Sequence, residues 1–331
     1  MNSKIDVIIP WVDGDDLKWR ELKNKYDFNN AVSDIRYESW DCLQYVFRGI
    51  EKFMPWVNNV FFVTCGHLPQ WINENNSRLK IIRHEEYIPN KYLPTFNSNT
   101  IEMNYYRIEE LSEKFILFND DIYPLSYIPK EYYFVSDLPC GESIETHFVL
   151  KGIKDADVQI AYAQVNNSII LNDHFDKQEV IQKYYDKWFS PALGKRVEQN
   201  EVLKYWHNFE SFVFPHEAMP MLKSTFKEIW EAESDKLDRA SHNKFRAASD
   251  ITHRLVSQWQ FCIGEYIPRE SKGHVYHANN SNIDEISREI MECRYPIVCV
   301  NEDENQDFFL LKNKLKNALN QVLPDKCSFE K

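Results

Sequence analysis

Glycine is scarce in this chain, with eight residues in 331, and none falls in a G-x-x-x-x-G-K-[ST], G-x-G-x-x-G or G-x-S-x-G pattern. The absence of these motifs disfavours the backbone cradle of P-loop kinases, the dinucleotide fold and the hydrolase nucleophile elbow. Cysteine is sparse too. Cys42, Cys65, Cys140, Cys262, Cys293, Cys299 and Cys327 are odd in number and show neither C-x-x-C nor zinc-type spacing, so they are expected as reduced, mostly buried thiols. Positive charge is in deficit: the net charge is -12 and the pI about 5.4. No global field can hold a nucleic-acid backbone, and an anionic ligand must be met by local cations or a metal ion. Long apolar runs are missing as well, with nothing near the ~20 residues of a membrane span. Ile5–Ile9 stops at Pro10 like a strand rather than a signal peptide, which predicts a cytoplasmic chain.

What is present is a folding composition: 43% apolar, 27% charged and 15% aromatic, without low-complexity tracts. In the first third, short apolar runs alternate with periodic stretches, which predicts an α/β sheet with crossover helices. Strands are expected at Ile5–Ile9, Val60–Thr64, Leu79–Arg83 and Phe115–Phe118. Helices are expected at Tyr37–Phe53, after Pro69, and from Asn97 towards Leu111. Helical spacing then dominates Asp157–Leu171, Lys177–Trp188, Ala218–Ser234 and Ala247–Ile263. Pro296–Val300 is a fifth strand, expected to return to the first sheet, and Asn305–Leu323 a final helix stopped by Pro324. With no repeat and no linker, one composite catalytic domain is expected over 1–331. Residues 1–155 and 295–331 form its α/β core, and 156–294 a mainly helical insertion.

Phe115–Phe118 runs directly into Asn119-Asp120-Asp121. At the carboxyl end of a strand in an open α/β sheet these side chains face the ligand crevice, and adjacent carboxylates suit Mg²⁺ or Mn²⁺ on a diphosphate. The same residues could instead cap a turn before Pro124. Trp11-Val12-Asp13-Gly14-Asp15-Asp16 follows the first strand and reads either as a ribose- and base-facing loop or as an acidic helix cap. Leu93–Asn99, with Glu102 and Arg107 beyond, is either a phosphate- or sugar-facing helix start or simple capping by Asn97 or Ser98. In the helical half, His207, His216, His242, Lys244, Arg246, Asp250, His253 and Arg254 supply bases and phosphate-matching cations. Singly, each reads equally as a surface or structural residue.

Taken in order, four blocks resemble the Stealth family of bacterial hexose-1-phosphotransferases, which are also similar to the catalytic part of the lysosomal-enzyme GlcNAc-1-phosphotransferase. The first is Ile5–Gly14. The second runs from Arg36 through Tyr45–Phe53, Pro55-Trp56-Val57, Pro69-Gln70-Trp71, His84-Glu85-Glu86 and Leu93–Asn99 to Phe118–Asp121. The third holds Pro215-His216, Leu222–Phe226, Ser241–Arg246 and Asp250. The fourth is Val298–Glu302, followed by Phe329-Glu330.

The resemblance implies a GT-A-like nucleotide-sugar-binding sheet, a UDP-sugar donor, Mg²⁺ or Mn²⁺, and an oligosaccharide or lipid-linked glycan acceptor, with no nucleic acid. It implies attack of an acceptor hydroxyl on the sugar-bearing phosphorus with release of UMP, in capsule or other surface polysaccharide synthesis. Such a polymer could be reached from the inner face of the cytoplasmic membrane by peripheral association. Under it Asp120 and Asp121 hold the metal, Trp11, Asp13 and Gly14 line the nucleotide, and Asn97, Asn99 and Glu102 position the sugar. Arg246 stabilises the transferred phosphate, His216 is the base or a phosphate contact, and Asn301 closes the site. The competing expectations are a conventional GT-A glycosyltransferase releasing UDP, and a non-catalytic carbohydrate-binding protein.

Overall fold

The computed structural model describes residues 4–27, 40–148, 158–302 and 307–331. Arg36, the start of the helix expected from Tyr37, Asp157 and the Asn305 start of the last helix lie outside them.

Four parallel strands form the centre: β1 (Ile5–Pro10), β2 (Val60–Thr64), β3 (Leu79–Arg83) and β4 (Lys114–Leu117). Strand β5 (Ile122–Pro124) follows β4 after a short turn, and β6 is Met219–Leu222, β7 His274–Ala278 and β8 Ile297–Glu302. The main sheet has the order β6-β4-β1-β2-β3, with β6 antiparallel on its edge. A second sheet has the order β7-β8-β5. Two expectations are corrected here. Ile297–Glu302 joins the second sheet rather than the first, because its partner is the segment just beyond β4. The stretch from Ala218, expected as helix, begins as an edge strand; its Pro220 lacks an N–H and is tolerated only at such an edge.

The main sheet is near-continuously apolar because both faces are covered. Alternate residues feed opposite cores: Val7, Val60, Phe62 and Ile116 pack on one side, Ile8, Phe61, Val63 and Phe115 on the other. On the first side lie α2 (Leu43–Phe53), α7 (Ile283–Met291), α8 (Phe308–Val322) and the second sheet. On the other lie α3 (Ser98–Met103), α4 (Val158–His174), α5 (Lys223–Ala232) and α6 (Arg254–Ile263). Helix α1 (Leu17–Tyr26) is capped by Asp16, whose carboxylate accepts from Trp19 N–H.

Several helices are shorter than their periodicity predicts. The segment after Pro69 is a turn bridged to the C-terminus through Ile72 and Glu330. The helix from Asn97 breaks at Asn104 into a 3₁₀ turn, and residues 243–253 form a loop ahead of α6. Among the described residues no helix is long and apolar enough to cross a membrane.

Candidate active site

The chain leaves β1 towards β2 and β3 on one side and returns with β4 on the other, so the strand order reverses between β1 and β4. The crevice beyond their carboxyl ends is where ligands of open α/β sheets bind. Trp11–Gly14 follows β1 and Asn119–Asp121 follows β4, so both acidic motifs stand at this switch point.

Trp11 extends the β1 register through its N–H to Val63 O, 2.9 Å, and its ring stacks on Phe62 with its other contact edge-on to His67. Asp13 N–H donates to His67 Nε2 at 2.7 Å, and Asp13 Oδ1 accepts from Asp15 N–H at 2.9 Å. Arg20 donates to Gly14 O. Burial lowers the His67 pKa, against the pull of Asp16 and Asp13, which favours the neutral ring that accepts this bond. No sequence motif marked His67; its one signal is that it lies just past a parallel strand.

The Asn119–Asp121 turn is tied to both sheets: Phe118 N–H reaches Ile8 O at 2.9 Å, and Val300 N–H reaches Asp121 O at 3.2 Å. Asp120 is exposed and Asp121 half-buried. The pairing of β5 with β8 carries Asn301 to the same place. Because β6 runs antiparallel to β4, with Met219 opposite Leu117, the residues before β6 also arrive at the carboxyl end of β4. These include His216, held at φ +48°, an uncommon backbone conformation for a side chain of this kind. His216 Nδ1 lies 3.4 Å from Asn301 Nδ2 and 3.5 Å from Cys299 Sγ. Burial pushes the His216 pKa down to about 4, and the nearby Arg254, His253 and His277 push the same way.

A third group is assembled around Asp250. Its carboxylate accepts from Asn97 Nδ2 and Asn99 Nδ2, each at 2.9 Å, from Asn243 Nδ2 at 2.7 Å and from Ala247 N–H at 3.1 Å. Asn97 also caps α3, accepting from Asn99 N–H at 3.1 Å. The Asn97 and Asn99 amide donors thus fasten the 243–250 loop onto α3. The same clasp brings Arg246 Nη2 within 3.0 Å of Ser98 Oγ. Glu102 pairs with His253 Nδ1 at 2.5 Å just ahead of α6. Phe214 links this group to His216, with ring centroids 5.5 Å from His216 and 6.2 Å from His253.

Among the described residues no three His, Cys, Asp or Glu side chains are grouped to hold a metal ion by themselves. Adjacent Asp120 and Asp121 are a donor pair that fits Mg²⁺, which commonly takes one or two carboxylates and completes its shell with substrate phosphates and water.

The family model described as Stealth protein CR1, conserved region 1, matches residues 3–31, and Stealth protein CR2, conserved region 2, matches residues 36–140. The capsular polysaccharide phosphotransferase WcwK of Streptococcus pneumoniae is 37% identical, with 100% of each chain covered. The chain belongs to the Stealth family. The receptor polysaccharide phosphotransferase WefC of Streptococcus gordonii is 33% identical over 100% of both chains. The exopolysaccharide phosphotransferase cps2G of Lactiplantibacillus plantarum is 31% identical over 99% of this chain and 96% of that one. Among solved structures, the apo-form glycosyltransferase GlyE of Streptococcus pneumoniae aligns over 93% of this chain and 82% of its own, at 9% identity and a TM-score of 0.25. That likeness is too slight to bear on the fold. The first Stealth region supplies β1 and Trp11–Gly14, and the second supplies β2, β3, β4 and Asn119–Asp121. Together they build both sides of the switch point.

Proposed function

We propose that this Stealth chain is a sugar-phosphate transferase: it moves a hexose 1-phosphate from a UDP-sugar to a carbohydrate hydroxyl, forms a phosphodiester and releases UMP. The full-length relatives whose names carry capsular, receptor and exopolysaccharide phosphotransfer support the reaction class. The observation that carries the reading is the switch-point crevice beyond β1 and β4, towards which strand pairing directs the Asn119–Asp121 turn, Asn301 and the loop that carries His216. A parallel β3-β2-β1-β4 order with an antiparallel neighbour supports using the main sheet as a GT-A-like donor platform.

In this reading Trp11, Asp13 and Gly14 line the nucleotide end beyond β1. Asp120 and Asp121 would hold Mg²⁺ or Mn²⁺, which supplies neutralisation of the diphosphate charge when bound. The acceptor oxygen forms a bond to the sugar-bearing phosphorus, the bond from that phosphorus to the UMP oxygen breaks, and the acceptor proton passes to His216. Its depressed pKa keeps the ring neutral at pH 7 and able to take that proton. Arg246 faces the charge that gathers on the transferred phosphate. Asn97 and Asn99 act by holding the Asp250 clasp, and Glu102 by fixing His253, which together shape the wall where the sugar sits. A UDP-sugar donor puts the reaction in the cytoplasm, at the membrane periphery where the acceptor glycan is lipid-linked.

The test is incubation of the full chain with a panel of UDP-sugars, Mg²⁺ and glycan acceptors, with the nucleotide product separated and the sugar product examined by phosphorus NMR. UMP and a phosphodiester signal are expected. UDP without phosphodiester would assign a conventional glycosyltransferase, and glycan binding without donor turnover a carbohydrate-binding protein. Asp121→Ala is expected to lose on the order of a hundredfold or more in rate.

A further inference from the structure

Arg254 opens α6 and stands in the wall of a cavity that Phe214, Pro215, Gln164 and Gln258 also line. Its guanidinium carbon lies 3.6 Å from the centroid of the Phe214 ring. Among the described residues its guanidinium makes no hydrogen bond and no ion pair. The carboxylate that acts on it, Glu102, is engaged with His253, and the other neighbouring charge is the like-charged Arg246. Burial, with Arg246 adding to it, draws the Arg254 pKa down to about 10.

A guanidinium carries five N–H donors in a fixed fork, and withdrawing it partly from water without protein acceptors, as at the half-buried Arg254, disfavours the folded protein. The Phe214 face returns part of that cost through its quadrupole. Arg246 donates to Ser98, one helical turn before Glu102, and Glu102 is taken up by His253 next to Arg254, so the two guanidinia share one neighbourhood whose natural complement is an oxyanion that both forks can bind. Phe214 packs against both Arg254 and His216, which sets the Arg254 fork and that ring on one aromatic side chain.

We propose that Arg254 joins Arg246 in a two-guanidinium phosphate site, in which Arg254 binds oxygens of the phosphate group held next to His216. The inference deepens the sugar-phosphate transfer reading and rests on it for which phosphate is bound. Arg254 would touch substrate directly, and Phe214 would orient its fork. The fold tolerates an unneutralised cation there because the bound phosphate neutralises it.

The experiment is thermal unfolding and calorimetric titration of the full chain with inorganic pyrophosphate, for wild type, Arg254→Met and Arg254→Lys. Arg254→Met keeps the apolar stem and removes the charge. It is expected to melt higher than wild type without pyrophosphate and to bind pyrophosphate at least tenfold more weakly. Arg254→Lys, which keeps the charge without the fork, is expected to fall between them. A variant that binds pyrophosphate as wild type does, or one that melts lower or fails to fold, overturns the proposal. The UDP-sugar panel separates this inference from the reaction. If no donor yields UMP but pyrophosphate binding still depends on Arg254, the reaction reading fails and the anion site stands. If UMP is released and Arg254→Met matches wild type in KM, kcat and pyrophosphate affinity, the anion site fails and the reaction reading stands.

Discussion

Asn301 Nδ2 lies 3.4 Å from His216 Nδ1, joining the end of the last strand to a loop 85 residues earlier. The contact ties the His216 ring to the strand that pairs with β5, while burial holds its pKa near 4. Between about pH 6.5 and about 4 the unfolded chain binds a proton that the native His216 does not. Its contribution to stability is therefore complete above pH 6.5 and is lost as pH falls towards 4. His216→Gln should flatten this part of the stability curve by on the order of 2–3 kcal/mol. His84, also pushed down to about 4, remains in both proteins and cancels in the comparison. Urea midpoints for the two proteins across pH 4 to 7 provide the measurement, and parallel slopes would remove His216 as a neutral buried group.

Asp250 is buried, and its carboxylate gathers four donors from two segments, the start of α3 and its own loop. Asp250→Asn places an amide donor among those donors and leaves at least one of them unsatisfied. A loss of about 2–4 kcal/mol is expected, larger than for an ordinary neutral hydrogen bond because the acceptor is charged. Since the clasp holds Arg246 near Ser98, phosphotransferase activity should fall with it. Urea unfolding and limited proteolysis across residues 243–250 provide the check; stability within 0.5 kcal/mol of wild type, roughly the size of an inert surface change, would contradict the clasp.

Much of this arrangement was legible because its signals are local. Val60–Thr64 and Leu79–Arg83 form strands with the expected ends, since each is a short stretch rich in β-branched or other apolar residues bounded by polar turn residues. Asn119–Asp121 was readable because it sits where a buried strand stops. Met219–Leu222 was hidden because Pro220 argues against a strand unless the strand is known to be an edge, and edges are set by distant pairing. The partner of Ile297–Glu302 was hidden for the same reason. Asn97 looked like a cap and is one, but its second bond, to Asp250, spans 153 residues that no spacing rule connects. The clustering of Arg254, His253 and His216 depends on the same long-range folding, so each appeared in sequence only as an isolated basic residue.

Gly49 lets β5 lie directly on α2. A Cβ there would stand 2.6 Å from Pro124 O and 2.9 Å from Pro124 Cδ, so a backbone group would have to move. Alanine improves helix propensity by up to ~1 kcal/mol, but overpacking against backbone costs about 1–3 kcal/mol and should prevail. Gly49→Ala is expected to lower the melting temperature by roughly 2 °C or more and, because β5 begins one residue after Asp121, to slow phosphotransfer as well. A higher melting temperature with full activity would show that β5 can shift without cost.

Arg48 and Glu330 hold the C-terminus onto α2. Arg48 Nε and Nη2 meet the two Glu330 oxygens at 2.7 and 2.8 Å, and Arg48 Nη1 donates to Leu323 O at 2.8 Å. Glu330 Oε1 also accepts from Cys327 N–H at 3.0 Å. Burial by itself would raise the Glu330 pKa, and the Arg48 fork with the Cys327 N–H outweighs it, leaving the carboxyl below its ordinary value. Stability from this pair is therefore present above the usual glutamate range and is lost as pH falls below it. Arg48→Met leaves Glu330 buried without its counter-ion, for a cost of about 3–5 kcal/mol, whereas removing both charges costs much less. In a double-mutant cycle by urea unfolding, Arg48→Met with Glu330→Leu should recover most of the single-variant loss. Two single losses that simply add would mean the fork contributes nothing specific, and Phe329 packed against Phe47 would be the contact that keeps the tail in place.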